Sequence, residues 1–393
     1  MKKMQCDILV VGGGLTGLLA CYALSLTNQN IILLDKSDLK KKTILSADLR
    51  TTAIAEGSKK FLEDIFLWSN LKEYAEPIKK IQVYDREVSN IINFQNKTNT
   101  KNLGYIVKNS ILKKIILKKI NLKKNIKIIS NENFKKMNLR SNFVKSYTDK
   151  FLIESRLLIA ADGKNSFLRK IKKTSMISKK YDHTAMVVNI LHTKNHKNIA
   201  HEIFLKSGPL AILPMRSKNQ IFASSVIWSN KKTHSSSLEK TDKQILLKII
   251  EEQIFKYVGN IKKISDIKFF PLSAHLNTKF YEERFVYVGD SAHSLHPIAG
   301  QGWNLGVRDV KNILSSVKSG LELGLDPGDK YICEKYNKNS FPDAYSLYQI
   351  TDKLNSIFLN ENFYLKLFRN AGFKIIEKNI KLKNRITNFA MGL

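Results

Sequence analysis

Asp7-Ile8-Leu9-Val10-Val11-Gly12-Gly13-Gly14-Leu15-Thr16-Gly17 is the stretch on which the fold turns. Residues 7–11 read as a short, strongly apolar strand and residues 15–26 as a helical apolar run. Ile31 to Asp35 is a second buried strand. Together they form one βαβ unit, about 30 residues long, with parallel strands. Gly12 permits the tight turn, Gly14 lets backbone approach a pyrophosphate, and Gly17 packs helix against strand. The helix N-terminus adds unpaired N–H groups and about half a positive charge. Asp35 ends the second strand 18 residues after Gly17, where a carboxylate accepts hydrogen bonds from ribose hydroxyls. The unit reads as a dinucleotide site, and the motif alone leaves NAD and FAD both open. No second GxGxxG follows, so one dinucleotide is expected and no separate nicotinamide domain.

Outward from that unit, the pattern predicts a helix near residues 53–74, punctuated by Pro77, then a strand over residues 78–85. Within residues 108–136, Ile111, Leu112, Ile115, Ile116 and Ile120 repeat at helical spacing, with lysines on the opposite face. Ser155 to Gly163 is another buried strand ending at a glycine turn. From residue 183 to 228, short strand candidates follow one another, separated by turns such as Ser207-Gly208-Pro209. That texture predicts an antiparallel sheet inserted into the first domain. Residues 284–290 return to the buried-strand pattern, and Leu305, Ile313, Leu314, Val317 and Leu321 mark a helix after it.

Two further motifs bear on chemistry. Ala161-Asp162-Gly163, followed by Ser166 and Arg169, is a tight polar turn that by itself reads as an ordinary strand-to-helix connection. The second, GDSAHSLHPIAGQGWNLGVRD over residues 289–309, is specific. It resembles the flavin-ribityl motif of the class A flavoprotein monooxygenases, the family of para-hydroxybenzoate hydroxylase. Its version, with His296 before Pro297 and Arg308-Asp309 at the end, is similar to the ubiquinone-biosynthesis hydroxylases. So are Asp48-Leu49-Arg50, Leu103-Gly104-Tyr105, Ser207-Gly208-Pro209-Leu210 and the ending Ala390-Met391-Gly392-Leu393, so the resemblance covers nearly the whole chain.

The resemblance implies FAD as cofactor. Asp290 would bind the ribityl chain, and Pro297 would line the reactive flavin face with His296 beside it. Gly300, Gln301 and Gly302 would start a helix aimed at the pyrimidine edge, where a helix N-terminus favours the negative charge of reduced flavin. Asn304 and Arg50 would lie near the cofactor, and Asp162 in a turn associated with FAD and transient nicotinamide contact. Trp303 departs from the smaller apolar residue expected there, which alters the pocket. The implied fold is α/β, with a Rossmann-type FAD-binding domain in discontinuous segments (1–75, 100–178 and 279–340). An inserted antiparallel β-sheet substrate domain (76–99 and 179–278) and a helical C-terminal segment (341–393) complete it.

The implied reaction is hydroxylation of a polyprenylated phenol intermediate of ubiquinone by dioxygen through a flavin 4a-hydroperoxide, with NAD(P)H as transient electron donor. Hydroxylation of a soluble aromatic, or a non-catalytic FAD subunit of a quinone-biosynthesis complex, stays open at this point. No GxSxG elbow supports a hydrolase, and no HExxH or Cys/His cluster supports a metal. The three scattered cysteines allow no disulfide framework, in keeping with a cytoplasmic protein. The net charge of +32 comes from 56 Lys and ten Arg against 34 acids. Solvated lysines explain it, and so does attraction to an anionic membrane surface, here the inner face of the cytoplasmic membrane. No nucleic-acid module is visible, so nucleic acid is not an expected partner. Retained arginines Arg50, Arg169, Arg284 and Arg308 fit sites that need a planar fork, or chance retention. The last 28 residues interleave basic and apolar side chains that suit lipid, a partner protein or the chain's own body.

Overall fold

A computed structural model describes residues 1–39, 41, 48–85, 88–95, 102–217, 221–360 and 362–392. The expected boundary between residues 99 and 100 and the terminal Leu393 lie outside the described residues. The opening unit forms β1 (Lys2–Val11), α1 (Leu15–Leu24) and β2 (Ile31–Leu34). Then come β3 (Thr51–Ala55), α2 (Glu56–Asp64) and the single turn α3 (Trp68–Leu71). The helix expected from residue 53 therefore begins at Glu56. Thr51–Ala55 is extended instead, with Thr52 and Ile54 buried, because it pairs antiparallel with residues 104–108.

Strands β4 (Glu76–Ile78), β5 (Lys80–Asp85), β6 (Val88–Gln95) and β7 (Gly104–Lys108) lead to α4 (Asn109–Asn121). In α4, Leu112, Ile116, Leu117 and Ile120 are buried while Lys114 and Lys118 are exposed, as an amphipathic surface helix requires. Next follow β8 (Ile126–Ile129), β9 (Phe134–Leu139), β10 (Val144–Thr148), β11 (Phe151–Ala160) and the short α5 (Phe167–Lys172). The long β12 (Met176–His192) precedes β13 (Ile199–Leu205), β14 (Gly208–Met215) and β15 (Phe222–Lys231). Two helices not anticipated from the sequence follow, α6 (Lys232–Lys240) and α7 (Lys243–Val258), then β16 (Ile261–Ile264) and β17 (Lys268–Asn277). The chain closes with β18 (Tyr281–Glu282), β19 (Phe285–Tyr287), β20 (His293–Ser294), α8 (Gly302–Glu322), α9 (Lys330–Leu359), α10 (Phe363–Lys378) and α11 (Ile380–Met391).

The first sheet runs β18-β19-β11-β1-β2-β8, with β10 on β11 and β9 on β10. β1 pairs parallel with both β2 and β11, and β11 parallel with β19. Three segments distant in sequence thus end side by side, which is where an open α/β sheet places its ligand. The second sheet runs β20-β17-β12-β15-β14-β13-β5-β6, with β16 on β12. Its pairings are antiparallel except β13 with β5, which is parallel. One face of it is sealed by Leu246, Ile250, Ile254 and Val258 of α7 against Val188, Ile203, Ile212 and Val226. β3, β7 and β4 form a third, small sheet.

Candidate active site

The glycine turn is built by close approach. Gly12 has φ +113°, and a Cβ there would lie 2.2 Å from the Ala161 carbonyl oxygen, where β11 passes. A Cβ on Gly17 would lie 1.9 Å from the Gly12 carbonyl oxygen. Gly14 is different: it caps α1, and a Cβ on it would meet nothing within 4 Å. It borders a cavity of about 480 Å³ shared with Gly12, Asp35, Asp162 and Gly163. Asp35 accepts hydrogen bonds from the Gly13 and Ser37 backbone N–H groups, and its remaining lone pairs are available on the cavity side. Asp162 Oδ2 accepts from the N–H groups of Phe167 (2.7 Å) and Leu168 (3.0 Å), capping α5. Its Oδ1 is buried with no partner among the described residues.

Asp290 follows β19 on a tight turn. Water reaches it, yet protein crowds it on most sides, so it sits in a concavity. That desolvation pushes its carboxyl upward, against the attraction of His293, Arg50 and Lys164. Arg50 is held in a fork with Asp48 (2.8 Å through Nε and 2.8 Å through Nη2) and lies 5.8 Å over the Phe270 ring. Behind Asp290, His293 Nε2 and Asp309 Oδ2 meet at 2.6 Å, both fully buried. Burial opposes the charged ring, but Asp309 and Asp290 outweigh it and raise His293. Asp309 also accepts the Gly289 N–H at 2.8 Å, so it fixes the turn that carries Asp290. Arg169 ties this turn to β17, donating to the Ser291 carbonyl (3.0 Å) and contacting His275 Nε2 (2.9 Å).

A second cavity, about 110 Å³, has Pro297, Ile298 and Gly300 on one wall. Its opposite wall is the second sheet, through Ile81, Ala200, Glu202, Ala211, Leu213 and Ile227. His296 is not in that lining: it is buried edge-on against Tyr181 (4.8 Å), accepts the Ile298 N–H at 3.4 Å, and burial lowers it to about 4. Asn304 is likewise turned to structure. It donates to the Ala53 (2.8 Å) and Gly300 (3.2 Å) carbonyls and accepts the Ala55 N–H (2.9 Å), pinning β3 to α8. Gln301 donates to the Ala390 carbonyl at 3.0 Å, while a Cβ on Gly302 would meet open space.

Gly12, Gly14, Asp35 and Asp162 therefore share one cavity, Pro297 and Gly300 another, and Asp290 interacts with Arg50. The sequence reading missed Lys164, the His293–Asp309 pair and Glu202. Lys164 had a local signal, directly following the Asp162-Gly163 turn. The others depend on which way a helix or strand turns.

A family profile described as FAD binding domain matches residues 5–322. The chain belongs to this FAD binding domain family. The chain is similar to a ubiquinone hydroxylase of Rhodospirillum rubrum, 29% identical over 98% of this chain and 89% of that protein. The mitochondrial ubiquinone biosynthesis monooxygenase COQ6 of Dictyostelium discoideum is 24% identical over 98% of this chain and 91% of that protein. Among solved structures, p-nitrophenol 4-monooxygenase of Pseudomonas putida superposes with a TM-score of 0.80 at 14% identity, covering 98% of this chain and 97% of that one. FAD is the cofactor of the FAD binding domain family, and the donor set suits it. An open glycine at a helix N-terminus, an unpartnered buried carboxylate oxygen and a second open helix N-terminus at Gly302 offer what a dinucleotide's phosphates, hydroxyls and ring edge require.

Proposed function

We propose that this protein is an FAD-dependent monooxygenase that hydroxylates the aromatic ring of a polyprenylphenol intermediate of ubiquinone biosynthesis. The observation that carries the reading is the second cavity. It is mostly apolar and about 110 Å³ in volume, walled by the Pro297–Gly300 turn. Benzene occupies an engineered apolar cavity of about 150 Å³, so this is space on the scale of one ring. The names of the chain's relatives, a ubiquinone hydroxylase and a ubiquinone biosynthesis monooxygenase, support the substrate class.

Gly14 with the N-terminus of α1 would hold the pyrophosphate, Asp35 the ribose, and Asp290 the ribityl hydroxyls. Asp162 Oδ1 and Arg50 would supply further polar contacts, and Pro297 with the N-terminus of α8 would flank the ring system. Bound FAD, once reduced, would activate dioxygen, one atom of which goes to the ring and the other to water. The chain's part is to hold the phenol in a cavity that excludes water and to keep the oxygen acceptor carbon in place. NAD(P)H is the electron donor in this reading, bound only in passing. Heat release and chromatography should yield FAD, and NAD(P)H with dioxygen should convert a short-chain prenylphenol to a product with one more ring hydroxyl. Absence of flavin, or flavin that no donor reduces, would sink the proposal.

Work on so apolar a substrate calls for a place at the membrane. No helix among the described residues is long and apolar enough to cross one. Phe363 (67% exposed), Tyr364 (78%) and Phe368 (64%) project outward on α10, and exposed Lys374, Lys378 and Lys381 lie nearby. The opposite side of α10 docks on the same chain through the buried Arg369–Asp85 pair (2.9 Å) and through Glu377, which accepts the Asn93 N–H. The outward face suits peripheral binding to the inner face of the cytoplasmic membrane. Flotation with anionic vesicles should exceed that with neutral ones and weaken with salt. Equal flotation with both would mean that the net positive charge has no role at the membrane, and no flotation with either would leave the face to a protein partner of a quinone-biosynthesis complex.

A further inference from the structure

We propose that Glu202 recognises the ring hydroxyl of the substrate, its carboxylate accepting the hydrogen bond of a phenol O–H inside the second cavity. This rests on the phenolic reading above and deepens it.

The placement follows from strand register. Glu202 of β13 lies opposite Ala211 of β14, which lies opposite Ile227 of β15, and on its other side it lies opposite Val83 of β5. Directly paired residues share a sheet face, and Glu202, Ala211 and Ile227 all line the cavity. The alternate residue His201 sends its ring to the other face, against Tyr257 (4.7 Å) and Tyr84. Glu202 is thus a carboxyl set among Ala, Ile, Leu and Pro side chains, across the cavity from Pro297 and Gly300. It has no hydrogen-bond or ion-pair partner among the described residues.

A carboxyl partly withdrawn from water and without a partner is costly, the more so when charged. A chain that keeps one in a ligand-sized cavity opposite a cofactor turn is placing an acceptor for a donor that the ligand brings. No Lys or Arg lines the cavity: Val83, Ala211 and Ile227 flank Glu202 on the sheet, and His201, which also borders the cavity, turns its ring to Tyr257. Burial alone pushes its carboxyl up to about 7. Near neutral pH it can still ionise, and the ionised form binds a phenol O–H by a charge-assisted bond. That bond also shifts electron density toward the ring, which favours attack by an electrophilic oxygen. A methyl ether in the same position brings no donor and would shut the carboxylate from water without pairing it.

The test uses the full-length, FAD-loaded protein without reductant. It is titrated with 4-propylphenol and 4-propylanisole, and binding is read from the flavin absorbance change. Wild-type protein should prefer the phenol by at least about tenfold, well within the discrimination available to a site that pairs with a hydroxyl. Glu202→Gln and Glu202→Leu should hold their FAD and lose most of that preference. In the wild type the preference should shrink as pH falls through about 7, where the carboxyl takes up its proton. The assignment is overturned if either FAD-loaded variant keeps the full preference, or if the wild-type preference is flat from pH 8 to 5. If the wild type binds neither probe, the phenolic reading itself fails, and this assignment with it.

Discussion

The parallel sheet and the antiparallel sheet bury their interiors with different chemistry. In the first, Ile8 to Val11, Ile31 to Leu34 and Leu157 to Ala160 are aliphatic and shut from water, and none of its strands carries a histidine. In the second, His183, His192, His201, His275 and His293 all lie in strands, beside buried Ser224, Ser225 and Asn230. The aliphatic sheet acts as a rigid scaffold that brings the Gly12 turn, the Asp162 turn and Asp290 to one edge. The polar sheet carries the groups that can meet a substrate, and its stability is therefore tied to protonation.

The largest effect expected from that difference is acid sensitivity. His192, His275 and His296 are buried, and burial lowers them to about 4, 3 and 4. Their folded pKa values lie below the unfolded value of 6.5, so as pH falls the unfolded chain takes up protons first. The stability they contribute is present above pH 6.5 and is lost between about 6.5 and 4, at up to about 1.4 kcal/mol per pH unit for each. His293, raised by its partner Asp309, carries the opposite sign and offsets part of the loss near neutrality. Hydrogen exchange followed from pH 7 to 5 should show β12 and β17 losing protection before β1 and β11. Equal loss in both sheets would erase the distinction.

Next in size is Arg369→Ala. Arg369 and Asp85 are both buried, and the pair fastens α10 to the end of β5. Removing the cation from such a pair costs about 3–5 kcal/mol, to be read from denaturant unfolding. A loss under 1 kcal/mol would mean that α10 is only loosely laid on the antiparallel sheet. On the parallel side, Gly17→Ala drives a Cβ against the Gly12 carbonyl and should cost roughly 1–3 kcal/mol, with FAD lost in parallel. Gly14→Ala is the smallest change. Its φ of −71° suits any residue and its Cβ would face open space, so stability should move by less than about 1 kcal/mol. FAD affinity should fall all the same, because the added methyl group enters the cavity. If the two glycine variants lose stability equally, Gly14 is structural and the cofactor cradle lies elsewhere.

Much of the cofactor side was legible because its signals are local. Continuous aliphatic runs, the Gly12-x-Gly14-x-x-Gly17 spacing and the 289–309 string each depend on residues within one turn or strand of each other. Of the four arginines singled out, Arg169, Arg284 and Arg308 each make hydrogen bonds or ion pairs that tie separate elements together, while Arg50 forks onto Asp48 two residues away. Residues 53–55 were read as helix because the strand partner of Thr51–Ala55 lies some fifty residues downstream, and a short strand paired at that distance leaves no periodic trace.

By itself, then, the amino-acid order determined the βαβ opening, the class of cofactor and the alternation of strand and helix. Tertiary structure alone decided that Asn304 pins β3 rather than facing open space, and that His296 packs on Tyr181 instead of lining the cavity. It also decided that the chain's end, through Ala390, closes on Gln301. Above all it decided that Glu202 shares the cavity face with Ala211 and Ile227, while the His201 ring packs on Tyr257. The reason is register. A slip of one residue in the pairing of β13 would exchange those two side chains, and register is set by the neighbouring strands and the burial they enforce, which no single strand's sequence contains.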